Sequence, residues 1–310
     1  MDEVNPSPLQ LLLGIGVLAT VCALFLRQYQ QVRRFCSCRR LEKAPDVIPP
    51  YWQNAGKSLA EALDRSSPEY FDDIYPVPVR NREILQGFLN ETSSNTEVHF
   101  NLVRAVRVEH SRLWFHYQEK AADVAVKRGP LKFQGLGAPS TNHALANVES
   151  DGWDGGFVHA LDEEVCEAYL FHGTDPHSAL KIVENGFQVK ASRAGKRYGF
   201  GGYFSEDPAV ADRYAGEGDG LYHACYALLL CRVLLGRQFH TKCFRNEGAA
   251  EAFRRNRFDS VLAEPHETLH REFVVFDGHQ VYPEYALVYE RQSPDFMLCP
   301  SPVHRYWADE

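Results

Sequence analysis

From Tyr169 onward the chain is cut into short apolar runs, each ended by a turn, and this punctuation limits the fold more than any other feature. Tyr169–Phe171, Tyr222–Leu235, Ser260–Leu262, Glu272–Phe276 and Tyr285–Tyr289 read as strands, being short apolar segments bounded by turn residues. Asp175–Asn185, stopped by Gly186, and Asp207–Tyr214 read as two small helices. Strands broken by so few helices do not make a regular strand–helix alternation, so the pattern predicts an α+β domain. Residues that carry chemistry stand at the strand edges. His172 ends the run Ala168–Phe171, Tyr203 follows Gly199-Phe200-Gly201-Gly202, and Glu272 opens Glu272-Phe273-Val274-Val275-Phe276.

Upstream, Val98–Val108 has strand character, and Leu113-Trp114-Phe115-His116-Tyr117 opens a helix. Gly129–Gly156 is rich in Gly, Ser, Asn and Pro and reads as a long loop or insertion. The net charge of -8 excludes a global nucleic-acid-binding face and leaves room only for a local basic patch. The eight cysteines show no disulfide or metal spacing. Cys225, Cys231 and Cys243 with His223 and His240 make an imaginable zinc set, but Cys225 and Cys231 lie in an apolar run and read better as core, so no metal is expected.

The N-terminus has its own pattern. Val4–Leu26 carries no charge, and Arg27, Arg33, Arg34, Arg39, Arg40 and Lys43 follow it. Such a stretch is about long enough to cross a bilayer as a helix. The positive-inside rule then puts the rest of the chain in the cytosol. A cleaved signal peptide lacks its basic start here, and a buried soluble helix would not be apolar all round. The expectation is a single-pass membrane protein whose catalytic domain faces the cytosol. It divides into a transmembrane anchor over 1–30, a basic linker over 31–50, an extension over 51–94, a catalytic domain over 95–292 and a tail over 293–310. Lipid contact through the N-terminal helix is part of that expectation.

The ordered set His172-Gly173-Thr174, Tyr203-Phe204-Ser205 and Glu272 resembles the His-Tyr-Glu signature of the poly(ADP-ribose) polymerase-like, diphtheria-toxin-type ADP-ribosyltransferases. The likeness includes Val106–Tyr117, Cys231–Gly236, Phe258–Val261 and Glu272–Tyr285, the last close to a tankyrase-type ending, all in family order over roughly 95–290. The resemblance implies two packed antiparallel-rich β-sheets with rim helices and a cleft between. It also implies NAD+ as substrate, cleaved at the nicotinamide–ribose bond, with ADP-ribose passed to a protein acceptor. A nucleic-acid acceptor is disfavoured by the acidic balance and stays open.

By the same resemblance, Glu272 grips the nicotinamide-ribose 2′-hydroxyl and favours the cation that develops on the ribose. His172 bonds the adenosine ribose, and Gly173 lets backbone approach the nicotinamide amide, with Thr174 beside it. Tyr203 and Tyr214 flank the nicotinamide ring, with Phe204 next to the first. Read alone, each of these residues has a plainer role: a solvated strand-edge glutamate, a structural histidine, packed tyrosines. Phe187–Arg197 forms the loop over the donor site, where Lys190, Arg193, Lys196 and Arg197 either neutralise the pyrophosphate or simply face solvent. Ala211 stands where family members often carry a serine for the carboxamide, which puts one contact in doubt. The loop Gln238–Arg257 is short for an acceptor cleft, so transfer of one unit is expected over polymer. The alternative is a catalytically silent membrane scaffold that binds NAD+ or ADP-ribose.

Overall fold

In chain order, the computed structural model has strand β1 (Asp72–Pro76), helix α1 (Val79–Thr92), β2 (His99–His110), α2 (Ser111–Arg128), α3 (Ser140–Ser150), β3 (Glu167–Thr174), α4 (Pro176–Asn185), β4 (Gly202–Ser205), α5 (Pro208–Asp212), β5 (Cys225–Leu234), β6 (Gln238–Thr241), β7 (Ser260–Ala263), β8 (Glu272–Val275) and β9 (Val281–Gln292). The structure describes residues 48–95, 99–150, 161–189, 197–246, 248, 256–265 and 271–292.

Among the described residues the strands form one nine-stranded sheet, in the order β1-β2-β9-β5-β3-β4-β8-β7-β6. All pairs are antiparallel except β6 with β7. The two packed sheets expected from the sequence are therefore corrected to one. The reason lies between β3 and β4, which share a single residue pair, Phe171 with Ser205. That pair joins two half-sheets that would otherwise be separate. β3 and β5 read as unbroken apolar runs because both of their faces are covered. Tyr169, Phe171, Leu228 and Leu230 pack on one side with Leu85, Phe88 and Leu89 of α1. Ala168, Leu170, Leu229 and Cys231 pack on the other with Ala179 and Val183 of α4.

The segment 51–94 supplies β1, α1, Trp52 and Phe71 to this body. Trp52 stacks on Tyr282 (centroids 5.5 Å apart) and lies against Trp114, itself 2% exposed. Behind these rings is a buried charge network. Arg232 Nε donates to Glu167 Oε1 at 2.8 Å and Arg232 Nη1 to the Tyr169 hydroxyl at 3.2 Å. Tyr117 and Tyr169 donate to Glu167 and Glu284, both at 2.6 Å, and Tyr51 also donates to Glu284. Burial pushes Glu167 upward, but Arg232 and the hydrogen bonds overcome it and hold its carboxyl below the usual range. At Glu284, burial outweighs Arg232 and the pKa is raised.

Gly129–Gly156 departs from the expected long loop, since Ser140–Ser150 is helical. Asn142 explains part of this: its side chain accepts from Tyr169 N at 3.0 Å and donates to Glu167 O at 3.3 Å, docking the helix on β3. The anchor expected over 1–30 lies outside the described residues. Among the described residues no helix is long and apolar enough to cross a membrane. The longest, α2, carries Arg112, Glu119, Lys120, Asp123, Lys127 and Arg128. This finding overturns the expected single-pass membrane location, and neither that location nor lipid contact is carried into the functional reading.

Candidate active site

The site forms where the sheet splits. One row of paired residues crosses it: Leu230, Phe171, Ser205, Glu272, Ala263. His172 is one residue beyond this row on β3. Its Nδ1 lies 2.9 Å from the Tyr203 carbonyl oxygen, which can only accept, so Nδ1 carries the hydrogen. A side chain thus closes the gap where the β3–β4 ladder stops. Phe187 and Phe204 hold the ring, at 5.0 Å and 5.3 Å between centroids. Phe204 is 2% exposed and supports His172 from the core. Thr174, half-buried, ends β3 opposite Ala227.

Tyr203 is delivered by the glycine turn. Its hydroxyl donates to Gly199 O at 2.9 Å and accepts from Tyr198 N at 3.1 Å. Gly199 has φ +102°, a conformation that suits glycine. Burial, followed by the field of Glu272, raises the Tyr203 pKa, with the bond from Tyr198 N opposing.

Two short helices with the same start frame the cleft. α4 and α5 each begin Asp-Pro. Asp175 accepts from Ser178 N at 2.8 Å and Asp207 from Ala209 N at 2.9 Å, with proline at the first helical position, where no amide hydrogen is needed. α5 lies directly on Gly173: a Cβ there would sit 1.9 Å from the Ala211 carbonyl oxygen. Only glycine allows this approach. The same carbonyl accepts from Tyr214 N at 3.0 Å, so the Gly173 contact also sets Tyr214.

Glu272 is 6% exposed. Its Oε1 accepts from the Tyr214 hydroxyl at 2.7 Å, and Arg197 Nη2 donates to that hydroxyl at 2.8 Å. Arg197 Nη1 lies 3.3 Å from Glu272 Oε2, and Oε2 takes no hydrogen bond among the described residues. Burial first, then the bond to Glu272, pushes Tyr214 up to about 12, so at neutral pH it keeps the proton it donates.

The structure therefore brings His172, Gly173, Tyr203, Tyr214 and Glu272 together around the β3–β4 split. It places the Arg197 guanidinium on the Glu272 carboxylate. Lys190, Arg193 and Lys196 lie outside the described residues. Phe244 and Asn246 were not singled out from the sequence. The Arg197 guanidinium sits 4.7 Å from the Phe244 centroid, and Asn246 N donates to Arg197 O at 2.9 Å. A lone phenylalanine in a polar loop carries no sequence signal for such a contact. Among the described residues no group of three or more His, Cys, Asp or Glu side chains is placed to hold a metal ion.

Protein mono-ADP-ribosyltransferase PARP12 of Mus musculus is 35% identical over 137 residues, covering 42% of this chain and 18% of the relative. Protein mono-ADP-ribosyltransferase PARP14 of Homo sapiens is 26% identical over 270 residues, 82% of this chain and 12% of the relative. Protein mono-ADP-ribosyltransferase PARP11 of Homo sapiens is 22% identical over 259 residues, 77% and 62%. The chain thus spans about a fifth or less of PARP12 and PARP14. The family model of the poly(ADP-ribose) polymerase catalytic domain matches residues 81–255, more than half of the chain, including His172 and Tyr203. Glu272 lies past the matched segment and reaches the cleft through its pairing with Ser205. With the signature histidine and tyrosine in the matched segment and the glutamate paired beside them, the chain belongs to the poly(ADP-ribose) polymerase catalytic domain family of NAD+-dependent ADP-ribosyltransferases.

Proposed function

We propose that this protein transfers a single ADP-ribose unit from NAD+ to a protein acceptor. The observation that carries the reading is Glu272. A carboxylate this buried, held on Oε1 and with Oε2 taking no hydrogen bond among the described residues, is built for a ligand hydroxyl. Its strand pairs with β4, which carries Tyr203, and the Tyr203 carbonyl holds His172. The relatives named mono-ADP-ribosyltransferases support one unit over polymer.

In this reading the cleft between β3 and β4 takes the nicotinamide end of NAD+. The Gly173 backbone lines its floor, and Tyr203 and Tyr214 offer ring faces for stacking. His172, with Nδ1 tied to Tyr203, presents Nε2 to the adenosine ribose. The bond that breaks joins ribose C1′ to the nicotinamide nitrogen, which leaves with the electron pair. Glu272 accepts from the ribose hydroxyl and stabilises the positive charge that develops at C1′. The acceptor nucleophile then bonds C1′ and loses its proton.

Glu272→Gln in the full chain tests this. It is expected to abolish transfer from labelled NAD+ while sparing NAD+ binding, because the carboxylate charge matters mainly as the cation develops. An unchanged rate would remove Glu272 from the chemistry. Products run on a sequencing gel decide unit number, and a ladder beyond two units refutes single-unit transfer. Ala211, which has no hydroxyl to offer the carboxamide, favours the second reading, a module that binds NAD+ without transfer. Binding without any transfer by the unmodified chain would select it.

A further inference from the structure

Arg197 lies on Glu272, and this position poses a chemical conflict. A carboxylate as buried as Glu272 is costly without a cation nearby, and Arg197 supplies one. Yet a guanidinium on the carboxylate cancels much of the negative field that would stabilise a cationic ribose. A static pair would hold the charge in the resting site and weaken it in the reaction.

The contacts are those of an exchangeable partner. Arg197 lies 3.3 Å and 3.4 Å from the two Glu272 oxygens, longer than the roughly 2.7–2.9 Å of a tight charge-assisted bond. Its side chain is 34% exposed against 8% for Glu272, so solvent reaches the Arg197 end of the pair far more than the Glu272 end. The backbone is fixed by Asn246 N, and the guanidinium rests on the Phe244 ring, which is 60% exposed. The arm is anchored at its base by Asn246, and at its tip it holds the Tyr214 hydroxyl, at 2.8 Å, more tightly than it holds Glu272.

We propose that Arg197 is a donor-exchanged positioning residue. It neutralises Glu272 in the arrangement seen here and moves to the pyrophosphate when the donor binds. The carboxylate is left uncompensated, held by the Tyr214 hydroxyl, when charge develops on the ribose. The diphosphate is a better partner than a single carboxylate, because it carries two charges and fits the guanidinium fork. This inference rests on the proposed reading of the cleft as an NAD+ site.

The test uses ADP, which has the pyrophosphate but no nicotinamide ribose for Glu272 to hold. ADP affinity is measured calorimetrically for the full chain, Glu272→Gln, Arg197→Gln and the double variant. Glu272→Gln frees Arg197 and is expected to tighten ADP by about two- to fivefold, the range for a part-exposed ion pair. Arg197→Gln is expected to weaken it at least about tenfold. In the double variant the gain from Glu272→Gln disappears. A gain of the same size without Arg197 reports only the loss of a nearby negative charge and overturns the exchange, as does no gain at all. The Arg197 Nε–H resonance, assigned by its loss in Arg197→Lys, gives an independent readout. It should move on adding ADP, and a stationary signal overturns the proposal. If NAD+ is turned over but the coupling is absent, only the exchange fails. If the unmodified chain binds neither ADP nor NAD+, the exchange and the reading beneath it fail together.

Discussion

Replacing Gly173 by alanine should damage the site more than the fold. The added Cβ would lie 1.9 Å from the Ala211 carbonyl oxygen and 2.7 Å from its carbon. Carbon and carbonyl oxygen approach no closer than about 3.3 Å even in favourable C–H···O contacts, so α5 must recede by roughly 1.4 Å. Neither side yields easily: Gly173 is in the β3–β5 ladder opposite Leu228, and Ala211 is 3% exposed in the core. Overpacking of this kind costs about 1–3 kcal/mol. At about 2–4 °C per kcal/mol for a domain of this size, the melting temperature should fall by roughly 2–12 °C and the protein should stay folded. The functional loss is larger because the displaced carbonyl is the one that holds Tyr214 N, and Tyr214 holds Glu272. A misplacement of about 1 Å at a reacting group costs on the order of 100-fold. Thermal unfolding and labelled-NAD+ turnover on the same preparation read both numbers. A Gly173→Ala protein with unchanged melting and turnover would refute the close approach of α5 and its role in setting Tyr214.

Two further predictions concern the buried charges. Arg232→Met strands Glu167 and Glu284 without their cation and should cost about 3–5 kcal/mol in chemical denaturation; replacing both carboxylates by leucine as well should recover much of it. At Asp259, burial works against ionisation, but Arg128 and the Arg237 amide hold the carboxyl below its usual value. That stabilisation is present above the unfolded pKa near 4 and is lost as pH falls through the lower folded value. Asp259→Asn should therefore be less stable at neutral pH and show a flatter loss of stability between about pH 4 and 2, and an acid unfolding curve unchanged in slope would contradict the pairing.

Much of the local order was legible in the sequence. Asp-Pro at two helix starts, Gly186 after α4 and the apolar runs of β3, β5, β8 and β9 declare themselves because caps and hydrophobic periods are properties of neighbours along the chain. β1, β6 and α3 did not declare themselves. β1 is a mostly exposed strand held at the sheet edge by pairing with β2. α3, in a Gly- and Pro-flanked stretch, is docked by Asn142 on β3. Their partners are distant in sequence, so no local signal marks them.

The site divides in the same way. The order His172, Tyr203, Glu272 and the presence of glycine at 173 are written in the sequence, because residue type at a strand edge is a local fact. That Phe171 and Ser205 are, among the described residues, the one pair joining the two half-sheets, that α5 presses on Gly173, and that Arg197 rests on Glu272 were decided by tertiary structure. A buried carboxylate takes the nearest available cation whatever its place in the chain, and only the folded sheet determines which cation that is.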